Sequence, residues 1–286
     1  MGLVVRAPAK INWTLRVLGR REDGYHEIES LVLAVTLYDE LAFSPRGDGR
    51  FVLTCDDPGL PTDDGNLICR AAAVMASEAS GQVGLNCRLT KRIPVGGGLG
   101  GGSSDGAAAL MALNRLWSLD WPKERLMAAA ARLGSDVPFF IAGGPAVIRG
   151  RGERVEPARL AWHGWIVLML PDLAVSTAEV YRAWRAEQAA AAVREAAIGN
   201  GPVPPAVGWM KRAYNMLEQP AQAVCPAVGG LMARAAELLG RPVRMSGSGS
   251  TLFTAYDTEI EARQWSTIIS RELQLRTYVV QPVEHT

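Results

Sequence analysis

Ile11, Trp13, Leu15 and Val17 alternate with Lys10, Asn12, Thr14 and Arg16. That period of two predicts a strand with one face in a core. Short apolar runs predict further strands at residues 31–37, 41–44, 51–54 and 85–89. Helical spacing is expected over 67–79, with Asp63 or Asp64 near its start, over 104–117 and over 123–132. Residues 143–156 read as a hairpin and a change of domain, followed by a buried strand at 165–170 and a helix at 177–186. The stretch 186–205 is Ala-rich and then Gly/Pro-rich, which predicts a helix end and a surface excursion. The tail reads helix (228–239), strand (243–245), strand (251–256), helix (259–273) and strand (276–281). Strands come first and helices after them, so the predicted class is an α+β sandwich rather than a repeating βαβ sheet. The second half has the order of a split β-α-β, ferredoxin-like unit. No repeat at a fixed period is found.

Composition narrows the chemistry. A chain of 286 residues sits where one core gives way to two, so two domains are expected. Thirty Lys and Arg against 29 Asp and Glu leave a net charge of +1, which argues against a broadly basic nucleic-acid binder. Cys55, Cys69, Cys87 and Cys225 form no CxxC pair, and His26, His163 and His285 are far apart in sequence. Neither a zinc site nor a disulfide framework is expected. Arg6 and Lys10 interrupt any signal-peptide core, and Arg6 also stands where a myristoylation pattern wants Ser or Thr. No apolar run approaches the ~18 residues of a membrane span. A cytoplasmic protein with no membrane or nucleic-acid partner is expected.

Glycine is the one excess, 30 of 286 residues. Six glycines crowd into seven positions of Pro94-Val95-Gly96-Gly97-Gly98-Leu99-Gly100-Gly101-Gly102-Ser103-Ser104, which feeds an Ala/Leu helix. Glycines let backbone N–H groups approach a ligand, and a helix start favours an anion. Ser103 and Ser104 add hydroxyls that can donate or cap. A P-loop is excluded because no Lys follows Gly102. A dinucleotide fingerprint is formally present at Gly96, Gly98 and Gly101, but its acid, Asp120, falls between two helices instead of ending a strand. A polyphosphate cradle and a plain flexible turn remain.

Four other features stand out. Lys10 and Asn12 share a strand face, although a lone strand lysine is usually a surface residue. Tyr25-His26 follow an Asp23-Gly24 turn and offer an aromatic face and a titratable ring, or a mere hairpin tip. Asp136, in Gly134-Ser135-Asp136-Val137-Pro138, is either the N-cap of a short helix or a carboxylate placed to accept a hydroxyl proton. Ser246-Gly247-Ser248-Gly249-Ser250 is a hairpin turn that can brace the first loop or face phosphates.

In this order, Pro8-Ala9-Lys10-Ile11-Asn12, the loop at 96–104 and the turn at 246–250 resemble the three motifs of the GHMP kinases. That family is named for galactokinase, homoserine kinase, mevalonate kinase and phosphomevalonate kinase. Arg21-Glu22-Asp23-Gly24-Tyr25-His26-Glu27 and the nine-residue Gly/Leu/Ser form of the loop resemble its branch acting on a cytidine-diphosphate-linked methylerythritol. The resemblance implies a two-domain GHMP fold: an α/β domain like that of a small-subunit ribosomal protein over 1–155, and a ferredoxin-like domain over 156–286. It implies ATP and Mg²⁺, and phosphorylation of a tertiary 2-hydroxyl in the non-mevalonate isoprenoid pathway, by a monomer or weak homodimer.

Residue by residue, Lys10 and Asp136 match the reacting pair, and residues 94–104 match the ATP loop, with Asn66 near the adenine side. Asn12, Tyr25, His26, Thr177 and Tyr181 match acceptor contacts, and Ser246, Gly247, Ser248 and Gly249 match phosphate-loop support. Ser104 and Asp136 are the Mg²⁺ candidates. Trp13, Thr251 and Met216 depart from the family's usual Leu, Cys and Asp. Another GHMP alcohol kinase, of mevalonate- or homoserine-kinase type, and a non-catalytic nucleotide-binding paralogue are the alternatives.

Overall fold

One strand organises the first half. The computed structural model describes residues 2–77, 84–160, 162–185 and 205–284. Within it β3 (His26–Arg46) runs unbroken for 21 residues, joining what the periodicity predicts as two strands. Its length lets it serve four antiparallel partners. These are β1 (Leu3–Asn12), β2 (Thr14–Arg20), β5 (Gly84–Thr90) and β6 (Ala146–Gly150). A bulge at Pro8/Ala9 keeps β1 paired across the misfit that proline brings to a ladder. β4 (Phe51–Cys55) and β7 (Arg154–Pro157) extend the sheet.

The predicted strand at 10–17 is in fact two, parting at Trp13, whose N–H turns to the Leu31 carbonyl at 2.8 Å. Its apolar face is buried as expected. Lys10, Asn12 and Thr14 on the other face are buried too, so the reading of a surface lysine is overturned. The loops of the site cover that face, and alternation alone does not show what lies opposite.

Helices α1 (Leu67–Ala76), α2 (Gly101–Leu116), α3 (Lys123–Leu133) and α4 (Val137–Ala142) pack together on this sheet. α1 is capped by Asn66, whose side chain accepts from Ile68 N, and not by Asp63 or Asp64. The predicted end of α1, at 78–79, lies outside the described residues. α2 begins three residues earlier than predicted: Gly101 and Gly102 are helical, with Gly100 as an αL N-cap at φ 71°.

The second sheet has the order β10 (Arg244–Met245), β11 (Leu252–Tyr256), β8 (Trp165–Leu170), β12 (Arg276–Val280), all antiparallel, with α9 (Glu259–Leu273) against it. This is the predicted ferredoxin-like order. α5 (Thr177–Ala183), α6 (Ala206–Arg212), α7 (Glu218–Val224) and α8 (Pro226–Leu239) complete this half. The excursion predicted at 186–205 lies, apart from Pro205, outside the described residues. The two sheets are tied together. β9 (Tyr214–Asn215) pairs with β2 in parallel, and Val283 N donates to Ala34 O at 2.8 Å. Trp13, Trp162, Trp209 and Phe253 meet between the sheets, with rings 5.6–6.4 Å from Trp13. No helix among the described residues is long and apolar enough to cross a membrane.

Candidate active site

A cavity of about 830 Å³ opens where the glycine loop, the 246–250 turn, α4, α5 and the β2–β3 hairpin meet. Lys10, Asn12, Tyr25, His26, Gly98, Gly100, Asp136, Thr177, Tyr181, Gly247 and Ser248, all singled out by the sequence, line it.

At its centre Lys10 Nζ donates to Asn12 Oδ1 at 2.7 Å and stands 3.6 Å from Asp136 Oδ2. Asn12 spends its other amide end on Ser30 Oγ at 2.8 Å, and Ser30 in turn donates to the Thr14 carbonyl. Both ends of the amide are engaged, so Asn12 aims the Lys10 ammonium. Asp136 occupies the N-cap position of α4 but makes no capping hydrogen bond. The helix start orients the residue while leaving the carboxylate to face Lys10. Gly152, at φ +123°, leaves room for it: a Cβ there comes within 3.2 Å of Asp136 Oδ1.

The glycine loop is packed against the protein as much as it is open. A Cβ on Gly98 drives into the Ser246 carbonyl oxygen, one on Gly100 meets Lys10 and Phe140, and one on Gly97 meets Thr251 Oγ1 at 2.9 Å. Gly96 and Gly102 alone among the loop's six glycines face open space. Leu99 is a core residue of the inter-sheet cluster, and only its carbonyl touches the site, accepting from Lys10 N at 2.8 Å. Ser246 Oγ donates to Gly98 O at 3.0 Å and accepts from Asn12 N at 3.3 Å, while Thr251 N reaches Gly97 O at 3.2 Å. The 246–250 turn therefore braces the loop, as its composition allows. α2 begins without a side-chain cap, which leaves its first N–H groups to a ligand or water.

Lys91, at the foot of the loop, is tied to buried Asp39 and to Asp105 at 2.9 Å. Burial works against its ammonium, but the charges of Asp105 and Asp39 outweigh it and raise its pKa. Burial, aided by Asp39, holds Asp105 well above the usual carboxylate range. Asn66 stays apart from the cavity, its amide spent on Ile68 N and Pro61 O. Ser104 Oγ is buried with no hydrogen-bond partner among the described residues.

At the far end the His26 ring lies 5.1 Å from Tyr181, at 33°, and 5.6 Å from Trp184, at 81°. Burial first and the Arg20 charge second lower the His26 pKa, so its ring is neutral near pH 7. Burial, with the Asp136 charge, raises Tyr181 and keeps its hydroxyl a donor. Thr177 Oγ1 and Ser248 Oγ meet at 2.7 Å, joining this end to the turn.

Sequence reasoning missed Trp184, Gly152, Asn215 and the arginines of the cavity. Asn215 Nδ2 donates to Met245 O at 2.8 Å and Gly247 O at 2.7 Å, and Glu218 Oε1 accepts from Met245 N at 3.0 Å. The segment that carries Met216 is thus the anchor of the turn. Met216 itself is packed with its sulfur 3.4 Å from Val17 N.

The family described as GHMP kinases N terminal domain matches residues 66–144, from the cap of α1 to the end of α4. A 4-diphosphocytidyl-2-C-methyl-D-erythritol kinase of Chromobacterium violaceum is 38% identical over 94% of this chain and 91% of its own. The enzyme of that name from Pelotomaculum thermopropionicum is 40% identical over 88% of each chain. The chain belongs to the 4-diphosphocytidyl-2-C-methyl-D-erythritol kinase family. A solved structure of 4-(cytidine 5'-diphospho)-2C-methyl-D-erythritol kinase superposes with a TM-score of 0.80 at 35% identity, over 98% of this chain and 100% of that one. Homoserine kinase from Cytophaga hutchinsonii, at 19% identity and a TM-score of 0.73, shares the fold, covering 99% of this chain and 95% of its own. Membership of the kinase family makes the chain a phosphotransferase with an alcohol acceptor.

Proposed function

We propose that the protein transfers the γ-phosphoryl group of ATP to the 2-hydroxyl of 4-diphosphocytidyl-2-C-methyl-D-erythritol, a step of non-mevalonate isoprenoid synthesis. Residues 1–155 form the nucleotide domain in this reading, and 156–286 contribute to the acceptor site. The observation that carries it is the Lys10–Asp136 pair, 3.6 Å apart, in a cavity running from the glycine loop to the His26–Tyr181–Trp184 pocket.

Phosphoryl transfer needs positioning and charge neutralisation more than covalent chemistry. The uncapped start of α2 and the N–H groups at open Gly96 and Gly102 hold the triphosphate. Lys10, aimed by Asn12, sits between the γ-phosphoryl group and the tertiary hydroxyl and stabilises the charge developing on both. Asp136 orients that hydroxyl and takes its proton late. The Lys10 charge favours the ionised carboxylate, which keeps it an acceptor and weakens it as an early base. Tyr25, His26 and Tyr181 receive the cytosine.

No group of three or more His, Cys, Asp or Glu able to hold a metal occurs among the described residues. One carboxylate facing the cavity beside a triphosphate fits Mg²⁺, which binds through one or two carboxylates and the substrate's own phosphates. Asp136 is the residue that would hold it, and the ion would neutralise phosphate charge. ATP and a nucleotide-linked acceptor are cytoplasmic metabolites, and we assign the enzyme to that compartment, as a monomer or weak homodimer.

ATP consumption with a panel of alcohols, and phosphorus NMR of the product, test the proposal. Turnover of the cytidine-diphosphate-linked alcohol to its 2-phosphate is expected. Turnover of mevalonate or homoserine with failure of that substrate contradicts it.

A further inference from the structure

The cavity carries a charge that the whole chain does not. Thirty basic against 29 acidic residues leave the protein nearly neutral. Five cations, Lys10, Arg20, Arg151, Arg182 and Arg185, nevertheless line the cavity against one carboxylate, Asp136. Lys10 belongs to the reacting pair, and Arg151 and Arg20 stand by Tyr25 and His26. Arg182 and Arg185 lie at the end of α5, where Arg185 donates to Arg182 O and Trp184 O. Arg20 is the register partner of His26 across β2 and β3. Among the described residues Arg20, Arg182 and Arg185 form no ion pair, and the ion pair of Arg151 is a long one, to Glu153 at 4.0 Å. Four guanidinium groups around one cavity with a single carboxylate give it a positive potential that favours an anion of more than one charge.

Arg151 is placed most specifically. Its guanidinium lies over the Tyr25 ring, 4.9 Å from the centroid, on a tyrosine that is itself exposed. The turn between β6 and β7 presents it, fixed by Arg151 N donating to Glu153 Oε2 at 2.6 Å and Gly152 N donating to Arg149 O at 3.2 Å. Gly152 of the same turn is the residue that leaves room for Asp136. One short turn thus touches both the aromatic platform and the reacting carboxylate. The Tyr25 face that Arg151 covers is a face on which a nucleobase would stack, so base and guanidinium compete for it.

Resting on the acceptor assigned above, we infer that Arg151 is a specificity-determining residue. It leaves the Tyr25 face as the base stacks there and donates, beside Arg20, to the diphosphate that links the base to the reacting polyol. A planar guanidinium matches phosphate oxygens in pairs, which a lysine does not. An alcohol without that diphosphate leaves Arg151 on Tyr25 and the cations of the cavity uncompensated, and is disfavoured for both reasons.

Steady-state kinetics of the intact protein test this with Arg151→Ala and Arg151→Lys. In Arg151→Ala the KM for the cytidine-diphosphate-linked acceptor should rise by roughly tenfold or more, the size of a lost charge-assisted contact. The KM for ATP should hold within about twofold, as should kcat, and Arg151→Lys should recover part of the loss. Potassium chloride should raise the acceptor KM more in the wild type than in Arg151→Ala, because the screened charge is gone from the variant. An unchanged acceptor KM, or an equal rise in both KM values, overturns the inference while leaving the acceptor assignment intact. A wild type that does not phosphorylate this acceptor overturns both.

Discussion

In the proposed reaction two phosphate-bearing ligands meet in one cavity, and the two ends of that cavity offer them different groups. At the glycine-loop end Lys91 is neutralised between Asp39 and Asp105, and backbone N–H groups and a helix start are what the loop offers a phosphate. The acceptor end uses guanidinium groups on partly exposed side chains. Backbone donors braced by Ser246, Thr251 and Asn215 cannot relax, and they hold a phosphoryl group in line without ordering any long side chain. Arginines adjust, and they cost entropy and yield to salt. The difference teaches which phosphate must be placed finely. The γ-phosphoryl group reacts, whereas the linking diphosphate only tethers the alcohol.

The comparison breaks first at the loop end. Asp39→Ala removes a fully buried carboxylate that ties Lys91 and accepts from Arg92 N and Ile93 N. It should cost about 3 kcal/mol of stability, measured by denaturant unfolding. Asp136→Asn sits between the ends and should leave the fold alone while kcat falls by ~10²-fold or more. Near-normal turnover removes Asp136 from the chemistry.

Asn215→Ala strips the buried carbonyls of Met245 and Gly247 of their shared donor and should cost about 1–3 kcal/mol. Because that turn braces the glycine loop, the KM for ATP should rise with it, more than the KM for the acceptor. The smallest effect belongs to His26. Its pKa is lowered in the fold, so below its ordinary value of 6.5 the unfolded chain binds the proton more readily and stability falls with pH. Denaturation midpoints at pH 7.5 and pH 5.5 should show a loss in the wild type that is smaller in His26→Gln.

Much of this was legible in the sequence because glycine, lysine and aspartate in fixed order leave few physical uses. The loop, the turn at 246–250, Lys10 and Asp136 all fall in or beside one cavity. What stayed hidden depends on long-range pairing. A period of two along β1 does not say that the face of Lys10 is covered by loops more than eighty residues away. Six consecutive-looking glycines do not say that Gly98 and Gly100 are needed for packing while Gly96 and Gly102 stay open. The arginines were invisible because they lie in three distant segments, at 20, at 151 and at 182 and 185, and only folding brings those segments to one cavity. The start of α2 was misplaced for a local reason: glycine has low helix propensity, yet Gly101 and Gly102 are helical because the αL residue Gly100 turns the chain into α2.

The division of labour between the ends is tested most directly by measuring both KM values in Gly102→Leu and Arg151→Ala. Gly102 is an exposed residue in the first turn of α2 with nothing within 4 Å of a Cβ, and leucine fits a helix better than glycine. Gly102→Leu should therefore raise the KM for ATP by roughly tenfold with no loss of thermal stability, and Arg151→Ala should raise only the KM for the acceptor. Effects on both KM values from either variant, or an ATP KM untouched by Gly102→Leu, would contradict the account.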